Sequence, residues 1–193
     1  MKRVGLYFGS FNPIHNGHLI VAEYFATQTE LDEVWFVVSP HNPLKDEKTL
    51  AAGTHRLTMV KLAAAANEKL HVCDIEFSMP VPSYTYDTLQ ALRVSFQNFT
   101  FTLLLGEDCM HDFSSWKNFE SILEQYHVMF FPRHYALPPD KAIDWSLYNT
   151  AIADAPRIEI SSTRIRELIT KQSSVRYLLP DEVIAYILKH KLY

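Results

Sequence analysis

A chain of 193 residues, 48% hydrophobic and 21% charged, is long enough to bury one sizeable core and too apolar to default to disorder. A formal net charge of −4 and a pI near 6.1 exclude general affinity for a polyanionic duplex, so any anion site must be local. Cys73 and Cys109 lack CxxC or metal-finger spacing, which excludes a disulfide framework and leaves both as reduced core residues. The opening MKRVGLYFGSF is too short in apolar residues for a signal peptide, and no run reaches the roughly 20 that span a membrane. The expected compartment is the cytoplasm.

In chain order, hydrophobic periodicity predicts a strand at Arg3–Phe8, a helix at His18–Gln28, a strand at Glu33–Val38 and helices at Ala51–Asn67 and Thr85–Phe96. A strand at Thr100–Leu105, a helix at Phe119–Gln125, a strand at His127–Phe131 and a weaker strand at Arg157–Ile160 follow. Helices at Ser162–Thr170 and Pro180–His190 close the chain. Alternation of this kind implies an α/β fold, a doubly wound parallel sheet with helices on both faces. No repeat or low-complexity segment divides it, and Pro132–Asp144 reads as a surface excursion, so residues 1–193 are expected to form a single domain.

In such sheets the ligand crevice lies beyond the carboxyl ends of the strands. Four segments would meet there: Gly9–His18, Ser39–Lys45, Gly106–Asp108 and Ser161–Arg166. The first reads GSFNPIHNGH and holds two of only five glycines in the chain. Gly9 would let a ligand approach the backbone, and Gly17 would leave the first amides of the next helix uncovered for a phosphate. His15 and His18, spaced i, i+3, would lean to one side of the first helical turn, behind Ser10 and Asn12, and could donate to one oligophosphate. Two histidines at this spacing can also share zinc, but no HExxH and no third ligand accompanies them, and Walker A and GxGxxG strings are missing.

GSFNPIHNGH resembles the signature of the HxGH nucleotidyltransferases, and ISSTRIR at Ile160–Arg166 resembles their second, ATP-binding motif. PSYTYDTL at Pro82–Leu89, GED at Gly106–Asp108, Trp116 and the tail YLLPDEVIAYILKHKLY narrow the resemblance to the bacterial nicotinate-nucleotide adenylyltransferase family, over nearly the whole chain. The resemblance implies a Rossmann-like fold of nucleotidyltransferase type. It implies AMP transfer from ATP to nicotinate mononucleotide, giving deamido-NAD and pyrophosphate in NAD biosynthesis, with Mg²⁺ carried on the ATP phosphates and no protein-bound metal.

By similarity, His15, His18 and Arg166 are the catalytic group, with His18 stabilising charge at the α-phosphate and Arg166, seconded by Arg164, holding the outgoing pyrophosphate. The ATP site would comprise Gly9, Ser10, Phe11, Gly17, Gly106, Asp108, Ser161, Ser162 and Thr163, with Ser161 or Ser162 also a candidate helix cap. The mononucleotide would be held by Asn12, Lys45, Tyr84, Thr85 and Trp116, the indole stacking on the pyridine ring. His55 and Arg56 fall where the family keeps polar residues. Partners are ATP and nicotinate mononucleotide, with a homo-oligomer left open and neither nucleic acid nor membrane expected.

The chain departs from the family pattern in three places. Phe8 precedes Gly9 where many members have two glycines, Leu44 replaces a histidine, and Pro132-Arg133 inverts an Arg-Pro, which leaves the role of Arg133 open. The string SPHN, with His41, is similar to that of nicotinamide-accepting relatives, so the choice between acid and amide stays open. Three rivals remain: another HxGH enzyme such as the phosphopantetheine adenylyltransferase, a non-catalytic nucleotide-binding module, and a zinc hydrolase.

Overall fold

The computed structural model describes residues 1–40, 50–133 and 137–193. Six strands, β1 (Lys2–Gly9), β2 (Glu33–Val38), β3 (Leu70–Cys73), β4 (Phe99–Gly106), β5 (His127–Phe131) and β6 (Thr150–Ile152), form one sheet in the order β3-β2-β1-β4-β5-β6. All five pairings are parallel. The helices are α1 (Asn16–Gln28), α2 (Gly53–Ala64), α3 (Thr85–Ser95), α4 (Phe119–Gln125), α5 (Ser162–Thr170) and α6 (Asp181–His190).

Each central strand is apolar on both faces, as a sheet sandwiched between helices requires. Val34, Phe36 and Val38 of β2 point into one core with Val21 and Phe25 of α1, Met59 and Val60 of α2, Ile165 of α5 and Val183 and Ile187 of α6. Trp35 and Val37 point the other way, into a second core with Leu89 and Leu92 of α3 and Ile122 and Leu123 of α4. Burying each such side chain contributes about 1.5–3 kcal/mol, so both faces stabilise the layer order. Both thiols are free, and burial pushes that of Cys109 up to about 12, which suits the inert role expected of it.

The order of strands reverses between β1 and β4. That is the topological switch point of a doubly wound sheet, where the crevice opens beyond the strand ends. Gly9 and Gly106 end the two strands that flank it.

Two edge strands differ from the sequence reading. β3 and β6, of four and three residues, carry too little periodicity to register as strands. The expected strand at Arg157–Ile160 is not one: that segment has no regular secondary structure. Its alternation arises because Ile158 and Ile160 pack on the α1 side of the core while Arg157 and Glu159 face away, one-sided packing that imitates a strand's period. Pro156, which has no N–H to give a ladder, precedes it. Of the expected surface excursion, the described residues 137–144 are tethered rather than wholly superficial, since Ile143 is buried and the Asp140 amide donates to the Met110 carbonyl.

Candidate active site

The chain leaves β1 at Gly9, turns through Phe11 in the left-handed region (φ 46°), and enters α1 at Asn16 with His15 as N-cap. The Phe11 ring is spent in the core, packed against Tyr7, Phe36 and His18. The two histidines cap the helix reciprocally. The His18 amide donates to His15 Nδ1 (3.3 Å) and the His15 amide donates to His18 Nδ1 (3.2 Å). Their rings stack with centroids 3.6 Å apart and planes 22° from parallel.

This geometry fixes the tautomer: an Nδ1 that accepts a backbone N–H carries no proton, so each ring bears its hydrogen on Nε2. Burial, and then the Arg133 charge, pushes the His15 imidazole down to about 4, so it is neutral at pH 7. Gly17 makes the stack possible: a Cβ there would lie 2.8 Å from Ile158 and 3.0 Å from His15 Nδ1.

The second motif docks directly on the first. Ser162 Oγ donates to the Pro13 carbonyl (2.9 Å), and an Arg166 guanidinium nitrogen donates to the Asn12 carbonyl (2.9 Å). Ser161 is the cap of α5, its hydroxyl accepting from the Arg164 amide, worth about 1 kcal/mol. Thr163 lies in the exposed first turn. Arg164 instead pairs with Glu167 on the helix surface (3.1 Å).

From the β4 side, Asp108 follows Gly106, and Arg133 follows β5. Their side chains form an ion pair at 3.5 Å that a Cβ on Gly106 would obstruct, coming 2.2 Å from Asp108 Oδ1. Arg133, His15, Gly17, His18, Pro156, Ile158 and Tyr7 line a shallow cleft. Arg133, whose role the sequence left open, thus stands beside the two histidines. Ser10 is buried, and its hydroxyl has no hydrogen-bond partner among the described residues, an orphan that a ligand oxygen would satisfy.

A second corner holds Tyr84, Thr85 and Trp116. Tyr84 is the N-cap of α3, and among the described residues no side-chain cap hydrogen bond is made to the start of that helix. Trp116 is half-buried and stacks on Phe113 (4.9 Å, 22°). Lys117 ties the corner together, 2.7 Å from Asp87 and 5.0 Å from the Tyr84 ring centre. Lys45, with His41 and Leu44, lies outside the described residues.

Two residues brace the site from behind. Arg56 is fully buried, and its guanidinium donates to the carbonyls of Ser10, Ser39, Pro40 and Ala51, joining the carboxyl ends of β1 and β2 to the start of α2. Asn12 Oδ1 accepts from the Tyr193 hydroxyl (2.7 Å) and the Ala51 amide (3.1 Å). The sequence marks Arg56 only as polar and gives no signal for Tyr193, 181 positions from its partner.

Comparison with known proteins now decides the family. A model described as cytidylyltransferase-like matches residues 6–168, which include both histidine and arginine motifs. The chain belongs to this family. It is 45% identical to a protein of Cytophaga hutchinsonii named probable nicotinate-nucleotide adenylyltransferase, over 99% of this chain and 98% of the relative. A protein of Flavobacterium psychrophilum with the same name is also 45% identical, with 96% and 95% covered. Among solved structures, the nicotinic acid mononucleotide adenylyltransferase of Plasmodium falciparum complexed with NaAD superposes with a TM-score of 0.81 over 100% of this chain and 98% of that one. At 24% identity that likeness shows the α/β fold.

Family membership gives the paired imidazoles their context. No three His, Cys, Asp or Glu side chains form a metal-binding group among the described residues, and both Nδ1 atoms are engaged by backbone amides. No helix among the described residues is long and apolar enough to cross a membrane.

Proposed function

We propose that the chain transfers the adenylyl group of ATP to the 5′-phosphate of nicotinate mononucleotide. A phosphate oxygen of the mononucleotide forms a bond to the α-phosphorus of ATP, and the bond from that phosphorus to the β-phosphate bridging oxygen breaks. Pyrophosphate leaves with the electron pair, and nicotinate adenine dinucleotide results, a step of NAD biosynthesis. The relatives' names point to the acceptor. The observation that carries the chemistry is the reciprocal cap of His15 and His18, which leaves Nε2–H as the donor of each ring in a cleft that Arg133 also lines.

No protein nucleophile is needed for this reaction; alignment and charge stabilisation supply the rate. His18, less buried than His15, donates to the reacting α-phosphate as its charge grows. Arg166, Arg133, the Gly17 amide of α1 and the Ser162 and Thr163 amides of α5 receive the β- and γ-phosphates, and the Ser10 hydroxyl finds its partner on the nucleotide. Donors fixed by backbone hydrogen bonds need no reorganisation during the step, which is where preorganisation gains most. Mg²⁺ carried on the ATP phosphates would supply neutralisation of their charge. The donor set fits that reading, since the Asp108 carboxylate beside these basic groups is itself paired with Arg133.

In the second corner, Tyr84 and Thr85 offer the open amides of α3 to the nicotinate carboxylate, and Trp116 stacks on the pyridine. Asn12 and Lys45 hold the mononucleotide phosphate. We place all of this in one domain and in the cytoplasm, which suits two free thiols.

The test is pyrophosphate release from ATP and Mg²⁺ with nicotinate mononucleotide or nicotinamide mononucleotide supplied separately. Much faster release with the acid is expected. Release with neither, but with phosphopantetheine, would replace this reading.

A further inference from the structure

Glu76 is a buried carboxyl side chain that the proposed chemistry does not use. It sits just beyond the carboxyl end of β3 in a short 3₁₀ turn, Ile75–Ser78, and is 2% exposed. One oxygen accepts from the Ser83 hydroxyl (2.5 Å) and the other from the Thr88 hydroxyl (2.9 Å). Both donors are themselves buried. They bracket Tyr84 and Thr85, one preceding the N-cap of α3 and the other in its first turn. Thr88 Oγ1 also lies 3.2 Å from the Tyr84 carbonyl.

We propose that Glu76 is a positioning residue for the mononucleotide, holding the Ser83–Thr88 turn so that the amides of Tyr84 and Thr85 face the pyridine carboxylate. This rests on the function proposed above. The start of α3 has no side-chain cap of its own, so its orientation depends on contacts such as these. A two-oxygen acceptor that ties both ends of the turn fixes its rotation, as one hydrogen bond would not. Because Glu76 lies behind the turn, its removal affects one substrate and leaves the ATP corner, built on α1 and α5, intact.

The experiment is steady-state kinetics of Glu76→Ala, Glu76→Gln and Ser83→Ala, with each substrate varied in turn. For Glu76→Ala we expect the KM for nicotinate mononucleotide to rise about tenfold or more, with that for ATP within about twofold. Glu76→Gln should come back near wild type. Its Oε1 accepts from Ser83, and its amide donates to Thr88 Oγ1, which keeps its own proton for the Tyr84 carbonyl.

A merely structural Glu76 would lower melting temperature and active fraction with both KM values unchanged; that result, or an equal rise in both, overturns the proposal. If Glu76→Ala fails to fold, Ser83→Ala decides. A selective rise of about threefold or more in the mononucleotide KM supports the proposal, and no rise contradicts it. The two readings fail separately: a wild-type enzyme inactive with nicotinate mononucleotide removes the proposed function and this inference together, whereas an active wild type with an unmoved Glu76→Ala KM removes only the inference.

Discussion

The two corners of the crevice are held in different ways. At the corner proposed for the phosphates, His15 and His18 are gripped by main-chain amides of their own helix turn, Arg56 by four carbonyls, and Arg166 by the Asn12 carbonyl. At the corner proposed for the pyridine, Tyr84 and Trp116 are partly exposed and depend on side chains: Glu76 behind the turn and Lys117 across it. Backbone-held donors are stiff and serve the reacting atoms. Side-chain-held surfaces adjust more easily, so they suit recognition and selectivity. Substitutions at the first corner should therefore act on turnover, and substitutions at the second on KM.

The largest expected effect is at His18. His18→Ala removes one of the two fixed donors and should lower kcat by about 100-fold or more, about 3 kcal/mol of transition-state stabilisation, with an unchanged fold by circular dichroism. An equally active variant would dissolve the distinction between the corners.

His15 gives the next largest effect, read on stability. Its folded pKa lies near 4 against 6.5 unfolded, so the unfolded state binds the extra proton first. The contribution is fully present above pH 6.5 and is lost as pH falls toward 4, costing about 2 kcal/mol at pH 5. Denaturant titrations at pH 7 and pH 5 measure it. His127, also lowered by burial, titrates in the same direction, so the comparison is with His15→Asn, which can still cap α1 and should flatten the slope.

A smaller effect is expected at the second corner. Trp116→Ala should raise the KM for the pyridine nucleotide by about tenfold with kcat little changed. A shift in melting temperature alone would return Trp116 to the core cluster on which it borders.

Much of this contrast was legible in the sequence, though unevenly. The i, i+3 spacing of His15 and His18 and the glycine between them mark the turn as a candidate site, because they are local features. Their reciprocal cap is visible only in coordinates, since two histidines are not an ordinary capping pair. β1, β2, β4 and β5 announce themselves as long apolar runs, whereas β3 and β6 are short edge strands that the periodicity of a few residues cannot carry. Residues 157–160 misled because packing on one side gives the same alternation as a strand. Arg56, Glu76 and Tyr193 escaped as functional supports because each acts through partners brought near only by the fold: the Ser10 carbonyl 46 positions away, Thr88 at 12, and Asn12 at 181.

The central claim is that both imidazoles present Nε2–H to the ATP phosphates. Long-range ¹H–¹⁵N correlation of the histidine side chains at pH 7, recorded with and without ATP, tests it directly. The account predicts that Nδ1 of His15 and of His18 carries no proton, and that the Nε2 resonances of both move when ATP binds. A proton on either Nδ1, or Nε2 signals unmoved at saturating ATP, would contradict it.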